Sequence, residues 1–367
     1  MERNQIIGIC GTDYEAMTKR LLEAADLAGI IGERTQRIAL KPNLVVAKPA
    51  SSGATTHPQI VAGTLDYLAA HGFENVRVME GSWVGDKTGP AAEISGIAAV
   101  CRARGVPFCD LQKEPGVPAE AGGMKIALCR SLTETDFLVN LPVLKGHCQT
   151  VMTCALKNHK GVITNAEKRR FHALGLQKPI ACLSALMPRE FILADNICGD
   201  LDFEEGGNPV RMDRLFCCLD PVLCDAYACS VMGLRTEDVP YIGMAEKLGS
   251  GSADLARAQI LSLGGEAPAR TAPAGRAAAL AKFVSPREAC SACYGSLIYA
   301  LSRLGAAGRL PENAPKICIG QGWRGEAGGI GVGACTGKCG KSLAGCPPTG
   351  AEMVRFLAEN WKGGGRD

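Results

Sequence analysis

The chain alternates two periods from its first residues. "QIIGIC" is a short apolar run that predicts a strand, and "YEAMTKRLLEAADLAG" repeats apolar positions at helical spacing up to Gly29. "RIALKPNLV" reads as a strand stopping at Pro42, "HPQIVAGTLDYLAAHG" as a helix with a glycine stop, and "VRVMEGS" as a strand. "PAAEISGIAAVCRARG" then reads as a helix and "DFLVNLPVL" as another strand. Strands separated by helices need crossovers, which build a parallel sheet covered on both faces. The expected fold class is therefore α/β, a mostly parallel sheet with helices on both faces, followed by a small Cys-rich C-terminal unit. "GGEAPARTAPAGRAAALAKF" is rich in Ala, Pro and Gly and reads as a connector. This divides the chain into a body over 1–265, a connector over 266–289 and a Cys-rich unit over 290–367.

Composition narrows the function classes. At 367 residues and 47% hydrophobic, the chain can bury a core, and its 40 basic and 37 acidic residues nearly cancel without forming a stripe. No nucleic-acid footprint is expected. No apolar run approaches the roughly 20 residues that span a bilayer, and "MERNQIIGIC" lacks a charged region followed by an apolar one. The expectation is a cytoplasmic protein with no membrane partner. Eighteen cysteines without a secretory leader imply a reducing compartment rather than a disulfide scaffold. The twelve from Cys10 to Cys229 mostly sit in apolar runs such as "LFCCLDPVLCDAYACS", where cysteine acts as a small hydrophobe.

In parallel sheets, ligands collect beyond the carboxyl ends of strands. Lys41 and Asn43 follow one predicted strand, and the next loop brings Lys48, Thr55, Thr56 and His57. Lys145 and His147 follow another, and "TCALKNHKG" supplies Lys157, Asn158 and His159. Singly, a lysine there snorkels into water and a histidine is a structural hydrogen-bonding group. If they converge, they hold an anion, a carboxylate or phosphate, with histidine available for proton transfer. Lys145, His147, Lys157, Asn158 and His159 are the catalytic candidates; Lys41, Asn43, Thr56 and His57 are the substrate-binding ones. "LADNICGDLDFEEGGNP" clusters Asp195, Asp200, Asp202, Glu204 and Glu205 without EF-hand spacing. It reads as a solvated turn, with Asp195 at the strand end as the acid candidate.

The tail carries the other six cysteines. Cys290 and Cys293 form a C-x-x-C pair before a helix-like run, Cys318 sits in apolar "KICIGQG", and Cys335, Cys339 and Cys346 crowd "GACTGKCGKSLAGCPP". Glycines let amides approach cluster sulfurs, and proline fixes the chain's exit after a last ligand. Zinc held by Cys290, Cys293, Cys335 and Cys339 would leave Cys346 idle beside a double proline. The expected cofactor is therefore a 4Fe-4S cluster on Cys290, Cys293, Cys335 and Cys346, with Cys339 and Cys318 as substitutes. "GQGWRG" fits G-x-G-x-x-G but opens no helix, and no Walker lysine occurs, so neither nicotinamide nor ATP binding is expected from these loops.

"LKPNLV", "THPQIV", "LVNLPVLKGH", "ALKNHKGVI", "ADNICG" and "LDPVLCDAYA" stand in the order and approximate spacing of the bacterial and archaeal family called domain of unknown function 362. The resemblance runs from about Ile38 to Gly233, and "GACTGKC...GCPP" resembles the iron-sulfur segment of some members. It implies an iron-sulfur protein with an α/β body in anaerobic metabolism. The chain lacks the C-x2-C-x2-C-x3-C-P run of members with a ferredoxin insert, so one cluster is expected. Two function classes follow. One is an oxidoreductase holding a small anionic substrate near the cluster, or a hydro-lyase with one iron left open. The other is an electron-transfer or assembly protein docking a redox partner protein. Four thiolates favour electron transfer; three favour Lewis-acid catalysis.

Overall fold

The structure is a computed structural model of the chain and describes residues 1–207, 209–264, 279–311 and 313–362. Residues 266–278 of the expected connector lie outside the described residues. The chain divides into two compact units: Met1–Gly146, Met152–Lys168 and Gln177–Pro273 in the first; His147–Val151, Arg169–Leu176 and Ala274–Asp367 in the second. The second unit thus takes two short pieces from the middle of the sequence as well as the Cys-rich tail.

The strands in chain order are β1 (Gln5–Cys10), β2 (Ile38–Pro42), β3 (Val76–Glu80), β4 (Phe108–Asp110), β5 (Gly116–Ala121), β6 (Met124–Cys129), β7 (Phe137–Leu141), β8 (Lys145–His147), β9 (Val151–Thr153), β10 (Arg189–Asp200), β11 (Pro209–Cys218) and β12 (Gln259–Ser262). The main sheet has the order β12-β1-β11-β10-β7-β2-β3-β4. All neighbours are parallel except β11, which runs against both β1 and β10. Alternate residues of a strand face opposite sides. Ile7, Leu40, Val139 and Leu193 therefore pack in one core with the apolar sides of α1 (Tyr14–Ala25), α2 (Leu27–Ile31), α3 (Pro58–Ala70), α4 (Thr88–Ile94) and α5 (Ile97–Ala103). On the other face Phe216 meets Tyr227 of the helix Pro221–Met232 edge to face at 5.1 Å, and Asn140 donates to Ala155 O of the helix Ala155–Asn158 at 3.2 Å. The sheet is mostly parallel with helices on both faces, as the alternation predicts.

Two predicted helices are each divided. Asp26 takes the left-handed conformation at φ 54°, closing α1, and its carboxylate accepts from Gly29 N to start α2, so the first helix ends before Gly29. Gly96 at φ 84° separates α4 from α5. Among the described residues, no helix is long and apolar enough to cross a membrane.

The second unit has a four-stranded parallel sheet, β13 (Val284–Pro286), β14 (Ile317–Ile319), β15 (Ile330–Val332) and β16 (Lys341–Leu343), in that order. Each of its strands is three residues long. Gly320, the first glycine of "GQGWRG", has φ 112°, and a Cβ there would press on the Arg287 carbonyl and Ala289. It serves a close backbone approach, and a 3-10 turn over Gln321–Trp323 follows it.

Candidate functional site

The first unit gathers polar side chains at the carboxyl ends of β2, β3 and β7 into one buried network. Lys145 is fully buried and donates to Asn43 Oδ1 at 3.0 Å, to Ala54 O, and to Glu204 O at 2.8 Å. Asn43 Nδ2 donates to Asn158 Oδ1 at 2.9 Å, and Asn158 Nδ2 donates to Asn140 Oδ1 at 2.8 Å and to Lys41 O at 3.3 Å. Asn140 Nδ2 reaches Glu190 Oε2 at 3.2 Å, and His159 Nε2 lies 2.9 Å from the same oxygen. Lys157 pairs with Glu204 Oε2 at 2.8 Å, Lys41 pairs with Glu80, and Lys168 Nζ donates to Gly81 O and Ser82 O at 2.8 and 2.9 Å.

A charge out of water must be paired and hydrogen-bonded, and these lysines are. Burial nevertheless works against them. It pulls Lys145 down to about 7 and Lys168 down to about 8. It pulls Lys41 down and Glu80 up, each partly held by the other's charge. It also lifts Asp195 to about 6 and, with the Glu204 charge, Glu205 to about 7.

Glycines make this packing possible. A Cβ on Gly161 would land on Glu80 Oε1 and 2.6 Å from Lys41 Nζ. A Cβ on Gly146 would meet the Leu201 carbonyl, and one on Gly199 the Leu144 carbonyl. There the chain after β7 and the end of β10 pass with backbone against backbone.

The structure brings Lys41, Asn43, Lys145, Lys157, Asn158 and His159 together, and uses the remaining candidates of the body differently. Thr56 Oγ1 accepts from Asn43 N at 2.7 Å and donates to Leu141 O at 2.8 Å, which fixes the loop. His57 Nδ1 caps α3 by accepting from Gln59 N at 3.4 Å, and Asp195 Oδ2 accepts from His57 N at 2.8 Å. The acidic segment is not a solvated turn: Asp200 and Glu204 are buried, because Glu204 is the partner of Lys157 and Asp200 Oδ1 accepts from Asp202 N and Phe203 N at 2.9 Å. Glu80, Asn140, Lys168 and Glu190 were not among the sequence candidates. For Glu80, Asn140 and Glu190 the signal was a single polar residue inside or near the end of a strand; Lys168 lies on the helix Asn165–Ala173, whose polar sequence offers no such signal.

Lys145 and His147, adjacent in sequence, belong to different units. His147 Nδ1 accepts from Gln149 N and Thr150 N, both at 3.0 Å, so the neutral ring carries its proton on Nε2. In this same unit Gln149 Nε2 donates to Ala289 O at 2.9 Å, tying the loop to the residue before Cys290. Val151 closes the loop at φ 68°, a strained conformation for a β-branched residue.

The second unit also groups thiols. Burial raises the Cys290 thiol, the Gln321 amide at 3.5 Å opposes this, and the charges of Cys335 and Cys346 add to the rise. Burial, together with Cys290, Cys346 and Cys335, pushes Cys293 up to about 12. The four cysteines from three stretches of chain therefore lie within reach of one another's charge. Cys335 raises the Arg324 guanidinium, and the Arg169 charge lowers Cys290. A Cβ on Gly333 would come 3.0 Å from Cys293 Sγ, so glycine leaves the sulfur its room. Cys346 is exposed, and the other three are half-buried.

Cys318 and Cys339 form a pair of their own against Trp323. They hydrogen-bond to each other, and burial followed by Cys339 pushes Cys318 up to about 11. A Cβ on Gly328 would meet both sulfurs, at 2.8 and 2.9 Å.

The network's residues fall within a recognised sequence pattern: the family described as Domain of unknown function (DUF362) matches residues 38–230, more than half of the chain. The chain belongs to the DUF362 family. Over 241 residues, 64% of this chain and 74% of the relative, the chain is 22% identical to the thylakoid-associated protein sll1697 of Synechocystis sp.. Among solved structures, the lactate racemase apoprotein of Thermoanaerobacterium thermosaccharolyticum is 14% identical with a TM-score of 0.41, over 62% of this chain and 57% of that one. A Thermotoga maritima protein is 15% identical with a TM-score of 0.37, over 65% and 59%. The chain thus spans less than two thirds of either solved protein.

Proposed function

We propose that this DUF362 member is an iron-sulfur protein that holds one 4Fe-4S cluster on Cys290, Cys293, Cys335 and Cys346 and passes single electrons to a redox partner protein. What supports the reading is that the charges of Cys335 and Cys346 act on both Cys290 and Cys293, whereas Cys339 acts on Cys318. The donor set fits such a group. Thiolates are its ligands, a side-chain amide and a guanidinium are placed to hydrogen-bond sulfur, and Gly333 leaves space beside Cys293. The cluster, when bound, supplies one-electron chemistry; the chain's residues hold it, donate hydrogen bonds to its sulfurs and limit water around it.

The substrate-free form of this proposal is favoured over an enzyme with an anion site by the pairing in the body. Lys41, Lys145, Lys157 and Lys168 already hold carboxylates, carbonyls or an amide oxygen. A second reading, an oxidoreductase acting on a small carboxylate or phosphate, draws support from Lys145 near 7 and Asp195 near 6 in that same unit, since displaced titrations gather at reactive sites. The exposed Cys346 is where a third form, a hydro-lyase with one open iron, would begin. The test is to purify the chain without oxygen and measure iron, sulfide and visible absorbance that bleaches on reduction. Zinc in place of iron ends the proposal. Saturable binding of a phosphate or carboxylate to the purified chain would move it to the second reading.

A further inference from the structure

A second group of ligand atoms lies in the body, far from any role given above. Cys154, Cys224 and Asp225 place their ligand atoms within 4.8 Å of one another, and all three residues are buried. Cys154 Sγ and Cys224 Sγ are 3.9 Å apart. Two thiolates on a tetrahedral zinc ion, each about 2.3 Å from it, stand about 3.8 Å apart. A disulfide requires about 2.05 Å. The Cys218 thiol, at the end of β11, acts on Cys224 and donates to Asp220 O at 3.4 Å; freed from that carbonyl it would supply a fourth donor.

Packed thiols alone would satisfy most of these facts, because buried cysteine is a small hydrophobe. The carboxylate decides against that account. Asp225 is fully buried, and its Oδ1 accepts from Ala155 N at 2.7 Å, while its Oδ2 has no hydrogen-bond partner. Tyr241 and Cys154 lie against the carboxylate, and the Tyr241 hydroxyl donates to Met152 O at 3.3 Å. An orphaned carboxylate oxygen in a protein core is costly and rare. Here it lies beside two sulfurs at coordination spacing, a mixed sulfur and oxygen set that suits a borderline-soft divalent ion.

We propose that Cys154, Cys224 and Asp225, completed by Cys218, form a structural zinc site in the α/β body. Binding releases the thiol protons to solvent as the body folds around the ion, since these atoms are out of water once it has folded. The ion would fasten the start of the helix Ala155–Asn158 to the helix Pro221–Met232, and so hold Lys157 and Asn158 at their places in the network. This inference does not rest on the tail cluster.

The test uses the full chain expressed with zinc in the medium. Crystals of the unaltered protein should give an anomalous peak at the zinc edge, about 2.3 Å from both Cys154 Sγ and Cys224 Sγ. In a Cys335→Ala/Cys346→Ala background, which removes two tail thiols, mass spectrometry should still find about one zinc per chain. Adding Cys224→Ser should remove it. An anomalous map with no peak there, or a zinc content that Cys224→Ser leaves unchanged, overturns the site. The map needs no variant to fold. An iron-free tail would sink the electron-transfer proposal and leave this result untouched.

Discussion

In the body, the lysines at the strand ends sit out of water with their charges met by Glu80, Glu204 and backbone carbonyls. In the second unit, four thiols act on one another's charge, with the Gln321 amide beside Cys290, and they sit at a helix start, in a 3-10 turn and in a loop. The first arrangement is electrostatically complete as the chain folds. The second collects donors of one kind, which a cation would complete. The contrast separates groups that maintain the fold from groups that await a partner, and chemical type alone does not separate them: lysine and histidine look more reactive on paper than glycine-flanked cysteine.

The largest effect should come from the thiols. Cys346→Ala or Cys290→Ala should abolish iron and sulfide loading, whereas Cys318→Ala should leave it intact; equal loss from all three would erase the distinction between the four grouped thiols and the separate pair. Next, Glu80→Gln strips the partner from buried Lys41 and should cost about 3–5 kcal/mol in urea unfolding. A loss below about 1 kcal/mol would mean that the pair behaves like a surface one. Gly161→Ala should cost about 1–3 kcal/mol, because the added methyl displaces Glu80 from Lys41.

Alkali gives a subtler readout. Lys145 is held near 7 in the fold against 10.5 when unfolded. Between those values the unfolded chain binds more protons, so the charge-burial cost present below 7 is relieved as pH rises. Stability should climb by at most about 1.4 kcal/mol per pH unit across that window. Lys145→Met should reduce the slope, most clearly between 7 and 8, while Lys168, held near 8, keeps its share above that; an identical slope in the variant would refute it. Smallest of all, Val151→Gly should gain about 1 kcal/mol by releasing the positive φ.

The legible parts of the sequence were those where one short run sufficed. β1, β2, β3 and β7 are short, mostly apolar runs, and buried parallel strands read that way. The break at Asp26 was hidden because a non-glycine residue adopts the left-handed conformation there. The antiparallel course of β11 depends on pairing with β1, far away near the start of the chain, and with β10 just before it, which no local pattern encodes. Lys145 and His159 could be picked as polar groups after apolar strands, but their partners Glu204 and Glu190 could not, since one looked like a turn residue and the other stands near the start of its strand. His147 was grouped with Lys145 by adjacency, and the chain parts them within two residues.

The crossing at Gly146 and Gly199 has a practical outcome for anyone recombining this protein with its relatives. Each glycine clears the way for the other segment's carbonyl, so the two stretches behave as one inherited block. A chimera that swaps the stretch around 144–146 must carry 199–202 from the same parent, and breakpoints placed between them would bring mismatched halves into collision.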